Sequence, residues 1–352
     1  TSATTGEVWT TNGNARVYGN TNATYGIPAQ WDARGPYGYL AEGARTNGIL
    51  HSQDLNHAYW TASASGMTVM DNFAVAPDGT TTAAKLVPSN ASANHYIYNG
   101  ATPGPLRTSA TNQTISWYVK YVNYQYVTIQ EEGEAGNYIQ QGFDVLNGTV
   151  GTTTTAGTST KTSASITAVG NGWYRLQLTV LSTAGTRTAQ ALSVGGNGTL
   201  SSTGDGVSYN LGWGVMHEDN VSFPSTYIPT TTVAVARNAD VLTYQASGNA
   251  SSTEGTVYAE VTSATDGTTA WPTIVAGSPG AALYSDNAPT KWSSYDGTTE
   301  SDFIAATLPI TTPSKVAANW GATSMGGALN GTLGTTSAFD GNLNLGATLY
   351  IG

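Results

Sequence analysis

The stretch Gly172-Trp173-Tyr174-Arg175-Leu176-Gln177-Leu178-Thr179-Val180 carries the period of a half-buried strand. Tyr174, Leu176, Leu178 and Val180 recur at every second residue and share one face, while Trp173, Arg175 and Gln177 share the other. Thr114-Ile115-Ser116-Trp117-Tyr118-Val119-Lys120 repeats the pattern, with Ile115, Trp117 and Val119 opposite Ser116, Tyr118 and Lys120. Leu211, Trp213 and Val215 give a third apolar face of the same period. Helical periodicity is nearly absent, the best case being one or two turns at Asp54 to Trp60.

Composition agrees with an all-β chain. Thr outnumbers Gly, and strand-favouring Thr, Val, Tyr and Trp are punctuated by Gly, Asn and Pro. Only 10% of the 352 residues are charged, against about 25% in ordinary globular proteins. The 39% hydrophobic content, with 9 Trp and 20 Tyr, is still enough to build a core. With no cysteine, neither a disulfide nor a thiolate metal site can form. A net charge of −10 with 12 basic residues argues against nucleic acid and against an anionic membrane surface as partners. No apolar run is long enough to cross a bilayer as a helix.

Along the chain, residues 1–37 hold two short strand candidates, Glu7 to Thr10 and Ala15 to Tyr18, between Gly/Asn turns. They read as an extended N-terminal arm. Residues 38–229 carry the regularly spaced strands of a β-sandwich, most simply a jelly roll. Within them Gly148 to Ser165 is a Thr/Gly/Ser tract that reads as a long hairpin or loop. The run Phe223 to Thr232, with Pro224 and Pro229, marks a boundary. Residues 230–352 then read as a smaller sandwich opening with the alternating strand Gly255 to Val261, its last strand close to Gly352 and its completion supplied by another chain.

These motifs also carry a resemblance. Tyr39-Leu40-Ala41-Glu42-Gly43-Ala44-Arg45-Thr46-Asn47, then His51-Ser52-Gln53-Asp54, Trp60 and Ala76-Pro77-Asp78-Gly79-Thr80 follow in order. Ser116 to Lys120, Gly170-Asn171-Gly172-Trp173-Tyr174-Arg175, Trp213 to Glu218, Ser225 to Thr230 and Ala236 to Asp240 complete the series. Together they resemble a family of bacteriophage and prophage virion proteins over residues 38–240. The following part is similar to concanavalin A-like (laminin G-like) domains at Gly255 to Glu260, Val316 to Trp320, Leu329 to Gly331 and Phe339 to Gly341. The resemblance implies a virion component of the tail, fibre or decoration type, with a jelly-roll module resembling carbohydrate-binding ones.

Concanavalin-like sandwiches include glycosidases, whose paired carboxyl groups stand about 5–5.5 Å or about 6.5–9.5 Å apart. The only dense acidic cluster is Glu131-Glu132-Gly133-Glu134, which reads as a solvated hairpin tip, with a weak calcium site as a lesser alternative. His51, His57, His95 and His217 lack metalloprotease spacing, and no Gly-X-Ser-X-Gly elbow or phosphate loop is present. No catalytic residue, metal ligand or cofactor is assigned.

Sugar recognition by a sandwich needs flat aromatic faces beside amide or charged groups. Tyr118, Lys120, Trp173, Arg175 and Gln177 form such a set on the polar faces of two strands, and Gln130 and Gln140 join if their strands alternate. The competing expectation is that Gly38 to Ser52 or the arm covers this face. Glu42, Arg45 and Glu218 would then be structural ion-pair members, meeting one another or Arg175.

Many of these strands lack the Lys, Glu and Pro that guard free sheet edges. The chain is therefore expected to work within a regular assembly, which the resemblance implies is a virion: a non-enzymatic subunit on an extracellular surface, beside copies of itself and other virion proteins. In that arrangement the arm or the C-terminal strand crosses between subunits, and host-surface polysaccharide is a further partner. A secreted carbohydrate-binding module or adhesin is the alternative, and a polysaccharide-degrading enzyme the third.

Overall fold

The computed structural model describes residues 8–9, 16–17, 42–62, 66–99, 111–133, 136–182, 189–262, 273–277, 281–285, 291–304 and 313–351. No helix occurs among them, and every strand pairing is antiparallel. The chain divides into two compact units, residues 1–38 with 42–239 and residues 39–41 with 240–352.

The first unit is built on two six-stranded sheets. In the first sheet the strand order is Thr149–Ala156, Tyr138–Asp144, Tyr126–Glu132, Ala189–Val194, Tyr96–Tyr98 and Thr61–Ala62. In the second it is Thr160–Gly170, Trp173–Ser182, Thr111–Lys120, Asn210–Asp219, Ala83–Pro88 and Met67–Ala74. Alternation sends Ile129, Ile139 and Leu192 from the first sheet, and Ile115, Trp117, Leu176 and Leu178 from the second, into one shared core. Each of these side chains is fully buried, a removal of apolar area worth about 1.5–3 kcal/mol per large residue.

Gly148 to Ser165 is neither a loop nor a paired hairpin. Its two strands, Thr149–Ala156 and Thr160–Gly170, end different sheets and turn at Gly157, whose φ is 72°. Thr and Ser alternate too weakly to reveal this, because the pairing is dictated by the more apolar neighbours Tyr138–Asp144 and Trp173–Ser182. Lys161 ties the two edges together, its Nζ donating to Gln141 Oε1 at 3.1 Å and to Thr153 Oγ1 at 2.8 Å.

Leu211, Trp213 and Val215 do not share a face. Gly214, with φ 65°, sits in a register shift against Thr111–Lys120 between Trp213 and Met216. The bulge leaves Leu211 and Trp213 outside the sheet and turns Val215 into the core. Asp54 to Trp60 forms turns rather than a helix, because Asp71 Oδ1 and Oδ2 accept the backbone N–H groups of Leu55 and Asn56 at 3.1 and 3.0 Å.

The break between units falls at Ala239/Asp240 rather than at Pro229/Thr230. Residues after the second proline remain with the first unit. Thr230 N donates to Ser52 Oγ at 2.8 Å, and Val235–Arg237 pairs with Arg45–Asn47. In the arm, Val8–Trp9 pairs with Arg16–Val17, and its other residues lie outside the described ones.

The second unit has its own two sheets. One runs Leu242–Gln245, Thr348–Ile351, Thr273–Ala276, Ala281–Ser285, Trp292–Tyr295 and Glu300–Ile304. The other runs Gly255–Val261, Ser314–Gly321, Ser324–Leu329 and Thr332–Ala338. Trp292, Val316 and Leu283 fill one part of its interior, and Trp320, Met325 and Leu343 another. Thr348–Ile351 is paired on both sides by strands of its own chain, so this segment is not the one left over for a neighbouring subunit.

Candidate functional site

The two outward faces of the first unit's sheets have different fates. On the second sheet, Ser116, Tyr118, Trp173, Arg175, Gln177 and Glu218 point away from the core, as alternation requires. They do not meet solvent as a platform. Tyr118 is 1% and Trp173 2% exposed, packed with Trp213, Met216, Tyr227 and Ile228 in a second apolar cluster. The Tyr118, Trp213 and Tyr227 rings lie 4.5–6.0 Å apart between centroids.

A strap made of residues 42–52 and 223–237 supplies that cover. Buried Asn47 anchors it, its Nδ2 donating to Val215 O and Ile228 O and its Oδ1 accepting from Ile49 N and His217 N. Ser52 Oγ and Tyr227 Oη are 2.7 Å apart. Burial pushes the Tyr227 phenol far up from its ordinary value, so it serves as a neutral hydrogen-bonding group.

The charges of this face close on one another. Glu218 accepts Ser225 N at 3.0 Å and Ser225 Oγ at 2.7 Å, with Arg45 Nε 3.9 Å away. Burial raises the Glu218 carboxyl, and the Ser225 hydrogen bonds with the Arg175 and Arg45 charges oppose that rise. Arg175 Nη2 donates to Ser116 Oγ at 2.9 Å while its guanidinium lies 5.3 Å from the Tyr118 ring centre. Glu42 meets Arg237, at 2.5 Å, rather than Arg45 or Arg175, and also accepts from Thr226 N and Oγ1.

The sugar-binding set expected here must therefore be corrected. Tyr118 and Trp173 have no open ring face, Arg175 is engaged with Ser116 and Tyr118, and Gln177 bonds Ser165, Thr179 and Ser222. Lys120, Arg175 and Gln177 are partly exposed, but with both rings buried they have no aromatic platform beside them. A strand period shows which residues share a face but not whether a second layer covers it.

The outward face of the first sheet is different. Its register places Tyr98, Ala191, Gln130, Gln140 and Thr154 side by side across five strands. Gln140 Nε2 donates to Gln130 Oε1 at 2.6 Å, and Gln130 Nε2 donates to Glu132 Oε2 at 3.1 Å. Tyr96 and Tyr98 flank this relay with ring centroids 6.0 Å apart, edge to face. Tyr96, Tyr98, Glu132, Tyr138 and Gln140 are all part-exposed.

Loop 195–200 walls one end of this face. Thr128 Oγ1 donates to Gly196 O and accepts from Gly198 N, and Ser193 Oγ donates to Leu200 O. Burial and the nearby Glu132 charge raise the Tyr98 phenol above its ordinary value, keeping its O–H as a donor.

The acidic cluster is not a solvated tip. The strand Tyr126–Glu132 continues through both glutamates, turning Glu131 inward to full burial opposite Gln190 and leaving Glu132 on the outward face. Glu134 lies outside the described residues.

A further titratable group lies at the loop 51–57. The His51 and His57 rings stack at 3.4 Å and 10°, with His51 held at φ 48°. Burial and His57 lower the His51 pKa, against a smaller raising effect of Asp54. Asp71 is raised to about 6 by burial and by its hydrogen bond to Asp54. His51 lies within the motifs that carry the resemblance, and the sequence gave no sign of Asp71, which lies 14 or more residues away from His51, His57 and Asp54. Among the described residues no group of three or more His, Cys, Asp or Glu side chains is arranged to hold a metal ion.

No protein-family model and no curated protein matches this chain.

Proposed function

We propose that the chain is a non-enzymatic structural subunit of a bacteriophage virion, in a fibre, tail or capsid-decoration position, whose first unit also contacts host-surface glycan. The observation that carries the structural part is a pair of sheet edges whose own strands carry no charge. Thr149–Ala156 ends the first sheet and Thr332–Ala338 ends a sheet of the second unit, both mostly exposed and both without a charged residue. Proteins that stay monomeric protect such edges with Lys, Pro or a cover, and a repeating assembly protects them with the next subunit. The virion part rests on the sequence resemblance over residues 38–240. Disassembly of purified particles followed by mass spectrometry is expected to recover this chain at stoichiometric amounts, and its absence from particles would sink the reading.

The second reading, a secreted carbohydrate-binding module or adhesin, is favoured by the tyrosine and glutamine face of the first sheet. Neighbouring genes separate the two, since capsid, portal or tail genes beside this one belong only to the first.

A further inference from the structure

We propose that the outward face of the first sheet, formed by Tyr96, Tyr98, Gln130, Glu132, Tyr138 and Gln140, is a binding site for a neutral oligosaccharide. The proposal rests on the glycan-contact part of the reading above and gives that contact a place and a ligand class. Three features of the face carry it.

The first is the hydrogen-bond inventory. A side-chain amide has two N–H donors and a carbonyl with two lone pairs. The relay from Gln140 through Gln130 to Glu132 uses one donor of each amide and the carbonyl of Gln130. Among the described residues no hydrogen bond uses the Gln140 carbonyl or its second N–H, and Gln140 is part-exposed whereas Gln130 is buried and serves to hold it. A sugar hydroxyl both donates and accepts, so a ring lying along this row can complete both kinds of group. Because the relay already fixes the two amides, little side-chain entropy is lost on binding.

Charge supplies the second. Glu132 is the carboxylate bonded into this row, and Lys161, on an edge strand of the other sheet, is engaged with Gln141 and Thr153. Among the described residues no cation pairs with Glu132, so an anionic sugar would meet that carboxylate directly and an uncharged ligand is favoured. Glu131, its chain neighbour, is fully buried and does not form a carboxylate pair with Glu132 on this face.

Shape is the third. The row crosses from the Tyr96–Tyr98 strand to the Thr149–Ala156 strand, four inter-strand steps or about 19 Å at the usual spacing. Tyr96 and Tyr98 supply part-exposed aromatic surface at one end, and loop 195–200 stands along one side. That is the footprint of a short chain of sugars rather than a single ring.

The full chain is tested on an array of neutral and of uronic- or sialic-acid-bearing oligosaccharides, and the best neutral one is titrated by calorimetry. Wild type is expected to bind neutral members. Tyr98→Ala and Gln140→Ala are each expected to weaken binding by about tenfold or more at unchanged melting temperature. Gln140→Glu, which keeps the side-chain volume, guards against a folding artefact and is expected to weaken binding similarly, while Lys120→Gln on the other sheet is expected to bind like wild type. Neutral binding that survives all three first-sheet substitutions would overturn this face while leaving glycan contact standing. Absence of any neutral binding would overturn the site and the glycan part together, and particle composition would still decide the virion part.

Discussion

The two outward faces of the first sandwich are made from the same kinds of residue and end in opposite states. On the second sheet Tyr118, Trp173 and Glu218 are sealed beneath a strap by Asn47, Ser225 and Tyr227. On the first sheet Tyr96, Tyr98, Gln140 and Glu132 remain part-exposed, and their hydrogen bonds run along the surface. The difference is one of layers. Charge in the sealed face must be matched within the chain, because an uncompensated buried ion is expensive. Amides can be left part-exposed at little cost. Aromatic and charged residues on a sheet therefore signal a binding site only where no second layer covers them.

The largest effect that sharpens this contrast is on stability. Glu218→Ala removes the acceptor of Ser225 and the counter-charge of Arg45 beneath the strap. It is expected to cost about 3–5 kcal/mol. Urea unfolding reads that loss directly. A loss under about 1 kcal/mol would mean that the strap is not held from beneath by this carboxylate.

Glu132→Gln on the open face is expected to change stability by less than about 1 kcal/mol, since Glu132 is part-exposed. Its effect falls on selectivity instead. Removing the carboxylate is expected to admit anionic oligosaccharides that the wild type rejects, read on the same array.

A smaller effect concerns pH. Asp71 has a folded pKa of about 6, above its ordinary value of 3.8, so the folded state holds this proton more tightly than the unfolded one. The stability it contributes is present at low pH and is lost as pH rises from about 4 through about 6. Asp71→Asn is expected to remove that slope, while its single amide oxygen can keep only one of the two bonds to Leu55 N and Asn56 N. Unfolding midpoints at about pH 4.5 and about pH 7.5 check the sign. A wild type no less stable at the higher pH, with the variant unchanged, would remove Asp54 and Asp71 as a coupled pair.

The smallest effect on the isolated chain is at the edge. Thr154→Lys is expected to leave stability within about 0.5 kcal/mol and to reduce self-association in light scattering. Unchanged association would move the assembly contact away from Thr149–Ala156.

Much of the fold was legible in the residues. The strands around Ile115, Trp117, Leu176 and Leu178 announce themselves because one face is uniformly apolar and the core demands it. Legibility fails where a single glycine changes the phase, as Gly214 does for Val215. It fails again where Thr and Ser make both faces alike, as in Thr149–Ala156. The site was less legible. Trp173 and Tyr118 have the right chemistry and the right period for a sugar platform, yet the strap that buries them comes from residues far away in the chain. Gln130 and Gln140 were visible as candidates, but Tyr96 and Tyr98 gain meaning only when the register sets Tyr98 in one row with them.

Imaging intact particles by electron cryomicroscopy tests the contrast between the two faces most directly. The account predicts density for this chain in which Tyr98 and Gln140 face solvent, the strap stays closed over Trp173, and a neighbouring subunit covers Thr149–Ala156. Particles in which a neighbour packs onto the Tyr98 row, or in which the strap has lifted to expose Trp173, would contradict it.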